Sequence, residues 1–258
     1  MKNTKIEKLA NNLVKAFVNN KIIAPIPLKF TKSMKEAQKL RRLCESKVKQ
    51  PIVGFKAAGT GIPVLKKLGE KEPFYASIFQ NNILKSGKSV KTNLYTLGIE
   101  LEVGYLIKKN FFQSKGSVNF KNIHKHISHM MPAIEVVGYR QRKKGIKFLG
   151  DLCSDFGANV KFFIGKKSEY KKISSGKLKS SIANKKVNQL VNGHTNTVYT
   201  NPLNSLKFVL NKLIKDKIIL DKDFYIFTGS TVGVTPILSK GIYQGKIEKL
   251  GSVRAKII

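Results

Sequence analysis

Hydrophobic and polar positions change period along the chain. Over the first fifty residues they recur at helical spacing, with Ile6, Leu9, Leu13 and Phe17 on one stripe and Met34, Ala37, Leu40, Arg41 and Cys44 on another. The spacing predicts an amphipathic first helix, opened by the capping-box form Thr4-x-x-Glu7, and a second helix over about 33–45. Pro25 and Pro27 break the chain between them. Residues 1–50 therefore read as an N-terminal helical segment packed on the main domain. A basic helix lying on a membrane surface is the other use of such a stripe.

From Ile52 the texture becomes that of strands. Ile52 to Ala58 is an apolar run interrupted only by Lys56, where a lysine normally needs an anionic partner. Gly59-Thr60-Gly61 then reads as a turn, lacking the spacing of a phosphate loop. In Leu97 to Leu106, Ile99, Leu101 and Val103 alternate with Glu100, Glu102 and Gly104, which puts both carboxylates on one face of a half-buried strand. Met130 to Val137 is a further apolar stretch carrying one carboxylate, Glu135. Later strands are predicted at Val160 to Ile164, Phe224 to Phe227 and Gly251 to Ile257, with a helix opening at Asn201-Pro202 and presenting Leu206, Val209, Leu210 and Leu213. Residues 166–186, rich in lysine and serine, read as an exposed loop or hairpin. Thr228 to Val234 is small and glycine-rich, which lets backbone amides approach a ligand closely.

Charge changes the picture at the carboxylates. Only 15 acidic residues stand against 49 basic ones, for a net charge of +34. Of the fifteen, ten are glutamates, and two of those sit on one strand face with a third in an apolar stretch. One reading is that the strand turns its acidic face to water. The other is a hard-metal site, because buried like charges need a neutralising cation and three carboxylates supply oxygen ligands. Glu70-Lys71-Glu72-Pro73 is a second Glu-x-Glu, but its proline and lysines place it in a solvated loop. His124, His126 and His129 look like zinc ligands at first, yet no cysteine or aspartate completes a set, and they read as a wet helix before Pro132.

The basic excess itself points to nucleic acid or an anionic surface, and its make-up argues against both. Forty-four of the basic residues are lysines spread along the length and only five are arginines, a pattern of composition bias rather than of a readout surface. No specific nucleic-acid partner and no membrane partner are expected. The 258 residues suffice for one large domain or two small ones, the start lacks an apolar leader, and Cys44 and Cys153 read as reduced thiols, all fitting the cytoplasm.

Six stretches in order resemble the 2-keto-4-pentenoate hydratase and 4-oxalocrotonate decarboxylase branch of the fumarylacetoacetate hydrolase superfamily. They are Val53-Gly54-Phe55-Lys56, Gly98 to Val103, Pro132 to Arg140, Asn201-Pro202-Leu203-Asn204, Thr228-Gly229-Ser230 and Leu250-Gly251-Ser252-Val253. The resemblance implies an α+β fold, a mixed β-sheet roll over residues 51–258 that forms the catalytic domain, with the N-terminal helical segment beside it. It implies Mg²⁺ or Mn²⁺ on Glu100, Glu102 and Glu135, with Lys56 binding the substrate's anion and assisting proton transfer. Gly229, Ser230 and Asp155, the last in a polar cavity segment, would bind a small unsaturated 2-oxo acid, with Phe74 also at the substrate pocket. It also implies a homo-oligomer and a sister hydratase or decarboxylase as partner.

Two stretches depart from that pattern. Pro73-Phe74-Tyr75-Ala76 stands where the hydratases have Pro-Asp-Phe-Gly, and Asp155-Phe156-Gly157-Ala158 where they often have Asp-Asn-Ala-Ser. The expected reaction is therefore either water addition to a 2-hydroxydienoate or decarboxylation of a related oxo-diacid, which tolerates the loss of a relay acid better. A catalytically silent member that binds a ligand or a sister enzyme is the alternative, and a polyanion-binding protein a third.

Overall fold

The computed structural model describes residues 2–93, 95–114, 116–141 and 145–258, with side chains from residue 5 onward. Helices α1 (Lys2–Asn19) and α2 (Met34–Lys47) precede β1 (Ile52–Ala58), a short α3 (Ile62–Lys67), β2 (Phe74–Phe79), β3 (Ile83–Lys85) and β4 (Ser89–Val90). Then come the two long strands β5 (Thr96–Ile107) and β6 (Ile127–Gly138), followed by α4 (Leu149–Cys153), β7 (Asn159–Ile164) and β8 (Ser168–Glu169). The chain closes with β9 (Lys179–Asn184), β10 (Gln189–His194), α5 (Pro202–Lys215), β11 (Phe224–Ser230), β12 (Gly241–Ile247) and β13 (Gly251–Ile257). Helix α1 starts at Lys2; the capping box expected at Thr4 rests on a side chain outside the described residues.

One mixed sheet runs β2-β1-β11-β5-β6-β7-β3, with β8 added to β6, and a second runs β10-β9-β12-β13-β4. The β1–β11 pair is parallel and β5–β6 antiparallel, so the expected α+β mixed sheet is what forms. The odd-numbered face of β5, Ile99 to Ile107, packs in the main core with Ile182, Tyr243, Ile247 and Val253 of the second sheet and with Leu206 and Leu210 of α5. Its other face carries Glu100 and Glu102 and continues into Gly104, against which the Phe227 ring packs so closely that a Cβ would stand 2.8 Å from it.

Strand β9 corrects the exposed loop or hairpin expected over residues 166–186. It is paired on both sides, to β10 and β12, and buries Ser180, Ile182 and Asn184. The lysines of this stretch hide a period-2 pattern whose inward positions are small or polar. The β9–β10 hairpin itself is present.

The helical segment is clamped to the first sheet through polar groups. Glu45 of α2 accepts from the Ser77 backbone N–H of β2 at 2.9 Å and pairs with Arg41 in the same helix. Phe17 of α1 stacks on Phe156 at 4.2 Å, and the Arg140 guanidinium lies over Phe17 at 4.7 Å. Arg140 also reaches Asp155 Oδ1 at 3.0 Å, both residues being fully buried. No helix among the described residues is long and apolar enough to cross a membrane. Because removing one partner strands the other charge in the interior, Arg140→Met is expected to cost about 3–5 kcal/mol, read as a lowered urea midpoint.

Candidate metal centre and pocket

The register of β5 and β6 builds the centre. Glu100 lies directly opposite Glu135, and Glu102 opposite Ala133, so the two carboxylates of one strand and the single one of its neighbour share a face. Their oxygens lie within 4.8 Å of one another. Glu102 and Glu135 are fully buried and Glu100 is half-buried, facing the pocket. The scarcity of acidic residues and the period-2 spacing had marked all three, and the fold brings them together. Glu102 and Glu135 are shut off from water, unlike the carboxylates of a plain acidic strand surface.

Lys56 reaches the same point from β1, which lies beyond β11 and β5 in the sheet order. Three strand spacings in a flat sheet measure about 14 Å, too far for one side chain to make a direct ion pair without help. The curl of the sheet closes that gap, and Lys56 Nζ donates to Glu135 Oε1 at 2.5 Å. Between Phe227 and Ser230 the β11 ladder slips by one residue against β5. This bulge turns the Gly229 N–H away from the ladder, and it donates to Glu102 Oε2 at 2.6 Å. Gly229 has φ +105°, and a Cβ there would collide with the Thr60 hydroxyl.

The donor set fits a hard divalent cation. Glu102 Oε1 and Glu135 Oε2 are buried and receive no hydrogen bond from a donor group. Without a cation the two carboxyls satisfy each other only by sharing a proton. Burial, opposed by Lys56 and helped by Glu102, raises Glu100 to about 7. Burial likewise pushes Glu102 and Glu135 up against the pull of Lys56, Glu135 furthest. Burial lowers the Lys56 ammonium, but Glu135, Glu100 and Glu102 outweigh it and leave it above its usual value. Among the described residues these three glutamates form the one group of three or more potential ligands.

A pocket of about 560 Å³ opens onto Lys56 and Glu100. Gly229 and Ser230 line it; the Ser230 hydroxyl donates to the Gly233 carbonyl at 2.9 Å. Asp155 does not line it. Its oxygens accept from the Arg140 guanidinium and backbone N–H, so this carboxylate is consumed in holding the helical segment rather than a substrate. Phe74 also falls outside the wall. It is buried with Ala58, Leu65 and Leu149, and its ring edge supports Gly157, which does line the pocket.

Other wall residues escaped the sequence reading. Thr60 belongs to what reads as a plain turn, and Asn192 and Gly193 arrive from β10 of the second sheet. The glycine inside an alternating strand was the available signal, since a Cβ on Gly193 would strike the Thr231 carbonyl. The expected histidine helix is a single turn, Ile123–His126, running into β6. His124 bonds the Tyr170 hydroxyl at 2.6 Å, His126 packs on Phe111, and His129 sits on β6, so the three do not converge.

No family model matches the chain. The structure of 4-oxalocrotonate decarboxylase from Pseudomonas putida G7, complexed with magnesium and adipate, superposes with a TM-score of 0.85 at 19% identity, covering 100% of this chain and 99% of that one. This chain has the same α+β fold as that decarboxylase. Fumarylpyruvate hydrolase from Pseudomonas aeruginosa, in complex with Mn²⁺ and pyruvate, shares that fold more loosely, with a TM-score of 0.58 at 12% identity over 82% of this chain and 92% of that one. In sequence the chain is similar to the 2-keto-4-pentenoate hydratase of Burkholderia vietnamiensis, 23% identical over 205 residues, or 79% of this chain and 77% of the relative. Within this shared fold, then, the mixed sheet supplies the carboxylates and the β11 bulge supplies the backbone donor to Glu102.

Two outcomes follow. Gly229→Ala displaces the donor to Glu102 and is expected to weaken Mg²⁺ binding about 10–100-fold by calorimetry, the range for a partner that orients a ligand. The second concerns pH. A carboxyl raised on folding stabilises the ion-free fold at low pH, and that contribution is lost as pH rises through about 7 for Glu100. Cations need the ionised form, so the rise in Tm on adding Mg²⁺ is expected to be larger at pH 8 than at pH 6.

Proposed function

We propose that the chain is a divalent-metal-dependent lyase acting on a small unsaturated 2-oxo acid, hydrating a 2-hydroxydienoate or decarboxylating a related oxo-diacid. The observation that carries this reading is a trio of clustered carboxylates, two of them fully buried with donorless oxygens and the third, Glu100, lining a pocket that also holds Lys56. The likeness to 2-keto-4-pentenoate hydratases in sequence and to 4-oxalocrotonate decarboxylase in fold supports it.

Glu100, Glu102 and Glu135 are the residues to hold Mg²⁺ or Mn²⁺, which when bound supplies Lewis acidity toward charge developing on a 2-oxo oxygen. The rest falls to the protein. Lys56, buried and kept cationic, fixes Glu135 and presents positive potential to the carboxylate end of a substrate. The Gly229 N–H holds Glu102 in one orientation, so the ligand set needs no reorganisation. Ser230 and Thr197 place hydroxyls on the pocket wall, and the Thr197 hydroxyl donates to the His194 carbonyl at 2.8 Å. Phe74 has no exchangeable proton and stands outside the wall, so Lys56 and pocket water are the groups to deliver a proton in its place.

The test is turnover of 2-hydroxypenta-2,4-dienoate and of 2-oxohex-3-enedioate with Mg²⁺ and with EDTA, following ultraviolet absorbance and CO₂ release. Metal-dependent loss of one substrate is expected, with Glu102→Gln abolishing Mg²⁺ binding and turnover together. Turnover that persists in EDTA sinks the reading. Mg²⁺ binding without turnover of either acid assigns the chain to the silent, ligand-binding class.

A further inference from the structure

Away from the carboxylates, the last turns of α5 meet α2 across a second hollow. A niche of about 170 Å³ is lined by Arg41 and Arg42 of α2, by Lys212 and Lys215 of α5, and by Asp216 just beyond it. It adjoins a wider cavity of about 550 Å³, with which it shares Phe208, Lys212 and Lys215. Neither has a lining residue in common with the pocket at Glu100.

Lysine is too common in this chain to mark a site, and Lys212 and Lys215 have a plain use in offsetting the carbonyl end of α5. Arginine is the sharper signal. The chain has five, and two of them line this one niche from a different helix. Arg41 is buried; its Nη1 donates to both Glu45 oxygens at 2.9 Å and its guanidinium lies over the Tyr75 ring at 4.6 Å, yet its Nε finds no acceptor. A buried donor left without an acceptor is costly. An anion in the niche supplies one.

The charges leave an excess for such an anion. Arg41 pairs with Glu45, Arg42 Nη2 with Asp216 at 2.7 Å, and Lys212 with Glu72 at 2.6 Å. Asp216 also accepts from the Tyr75 hydroxyl at 2.6 Å, so each carboxylate on these walls is already engaged. Lys207 and Lys215 have no carboxylate partner among the described residues, and Lys207 lies over the Phe120 ring at 4.2 Å. Lys215 and the remaining donors of Arg42 therefore offer an ammonium and part of a planar fork, the groups that phosphate oxygens take. Size agrees with that division. At about 30 Å³ for each water-sized group, the wider cavity holds roughly eighteen, the bulk of a nucleoside. Its wall adds Ile62, Tyr199 and Phe208, the two rings meeting edge to face at 6.4 Å.

We infer that the hollow between α2 and α5 is a binding site for a phosphate monoester of nucleoside size. Arg41, Arg42 and Lys215 hold the phosphate, and the organic part lies along Tyr199 and Phe208. The site is independent of the metal centre and of the proposed lyase reaction.

Calorimetry in EDTA, which removes bridging by divalent ions, tests this at about 0.15 M salt, where diffuse attraction to a basic surface is screened. The probes are adenosine 5′-monophosphate, uridine 5′-monophosphate, adenosine and inorganic phosphate. At least one nucleotide is expected to bind at one per chain, at least about tenfold more tightly than adenosine or phosphate, and Arg42→Ala to weaken it about tenfold. Lys215→Gln, at a position with no ion pair to break, is expected to weaken it in the same direction and decides the matter if Arg42→Ala misfolds. Lys256→Ala, on the outward face of β13, is expected to leave the affinity unchanged. The inference is overturned by a lack of saturable binding of either nucleotide, by affinity untouched in both niche variants, or by an equal loss in Lys256→Ala. Inorganic phosphate bound as tightly as the nucleotides also overturns it, leaving an adventitious ion only.

Discussion

Three carboxylates buried within a few ångströms of one another set the terms for the rest of the molecule. Such a cluster is tolerable only with positive charge at hand or a proton held in common. Lys56 supplies one charge, and the two donorless oxygens of Glu102 and Glu135 leave room for more. The curvature of the first sheet, the slip in β11 and the glycine at its tip each serve this one electrostatic problem. They bring a cation across three strands and aim a backbone dipole at an anion.

The centre was legible in the sequence because its signals are local. Alternation set Glu100 and Glu102 on one face, and an isolated charge in an apolar run marked Glu135 and Lys56. Asp155 was misread for a different reason. Its short segment offers acid, glycine and asparagine as a cavity would, and only the distant Arg140 and Phe17 reveal that its charge holds the α1 helix in place. Phe74 fails likewise: an aromatic standing at an acid's position says that the acid is lost, but not that the ring turns away into a core with Leu65 and Leu149. Strand β9 was hidden by lysine on its wet side, since composition masks a period-2 pattern whose inner positions are Ser180, Ile182 and Asn184.

The lysine excess and the site divide the molecule between them. On β13, Val253, Ala255 and Ile257 are buried while Arg254 and Lys256 face out, and the same alternation keeps basic residues on the periphery elsewhere. The outer field of such a surface concentrates small anions near it and hastens their encounter with the pocket. At the wall itself, Lys56, paired with Glu135, is the one cation among the described lining residues.

The donor to Glu102 comes from Gly229, 127 positions further along the chain, and β1, which carries Lys56, pairs in parallel with that same late strand. A ribosome has therefore finished most of the protein before the carboxylates on β5 and β6 meet either their cation or their backbone amide. Until β11 emerges, the nascent chain holds an acidic hairpin whose charges have no assigned partner, in a polypeptide otherwise crowded with lysines. Non-local pairing of this kind makes folding slow. Inserting β11 is thus both the closing step of the sheet and the step that completes the candidate metal centre, which depends on the whole sheet rather than on the β5–β6 hairpin alone.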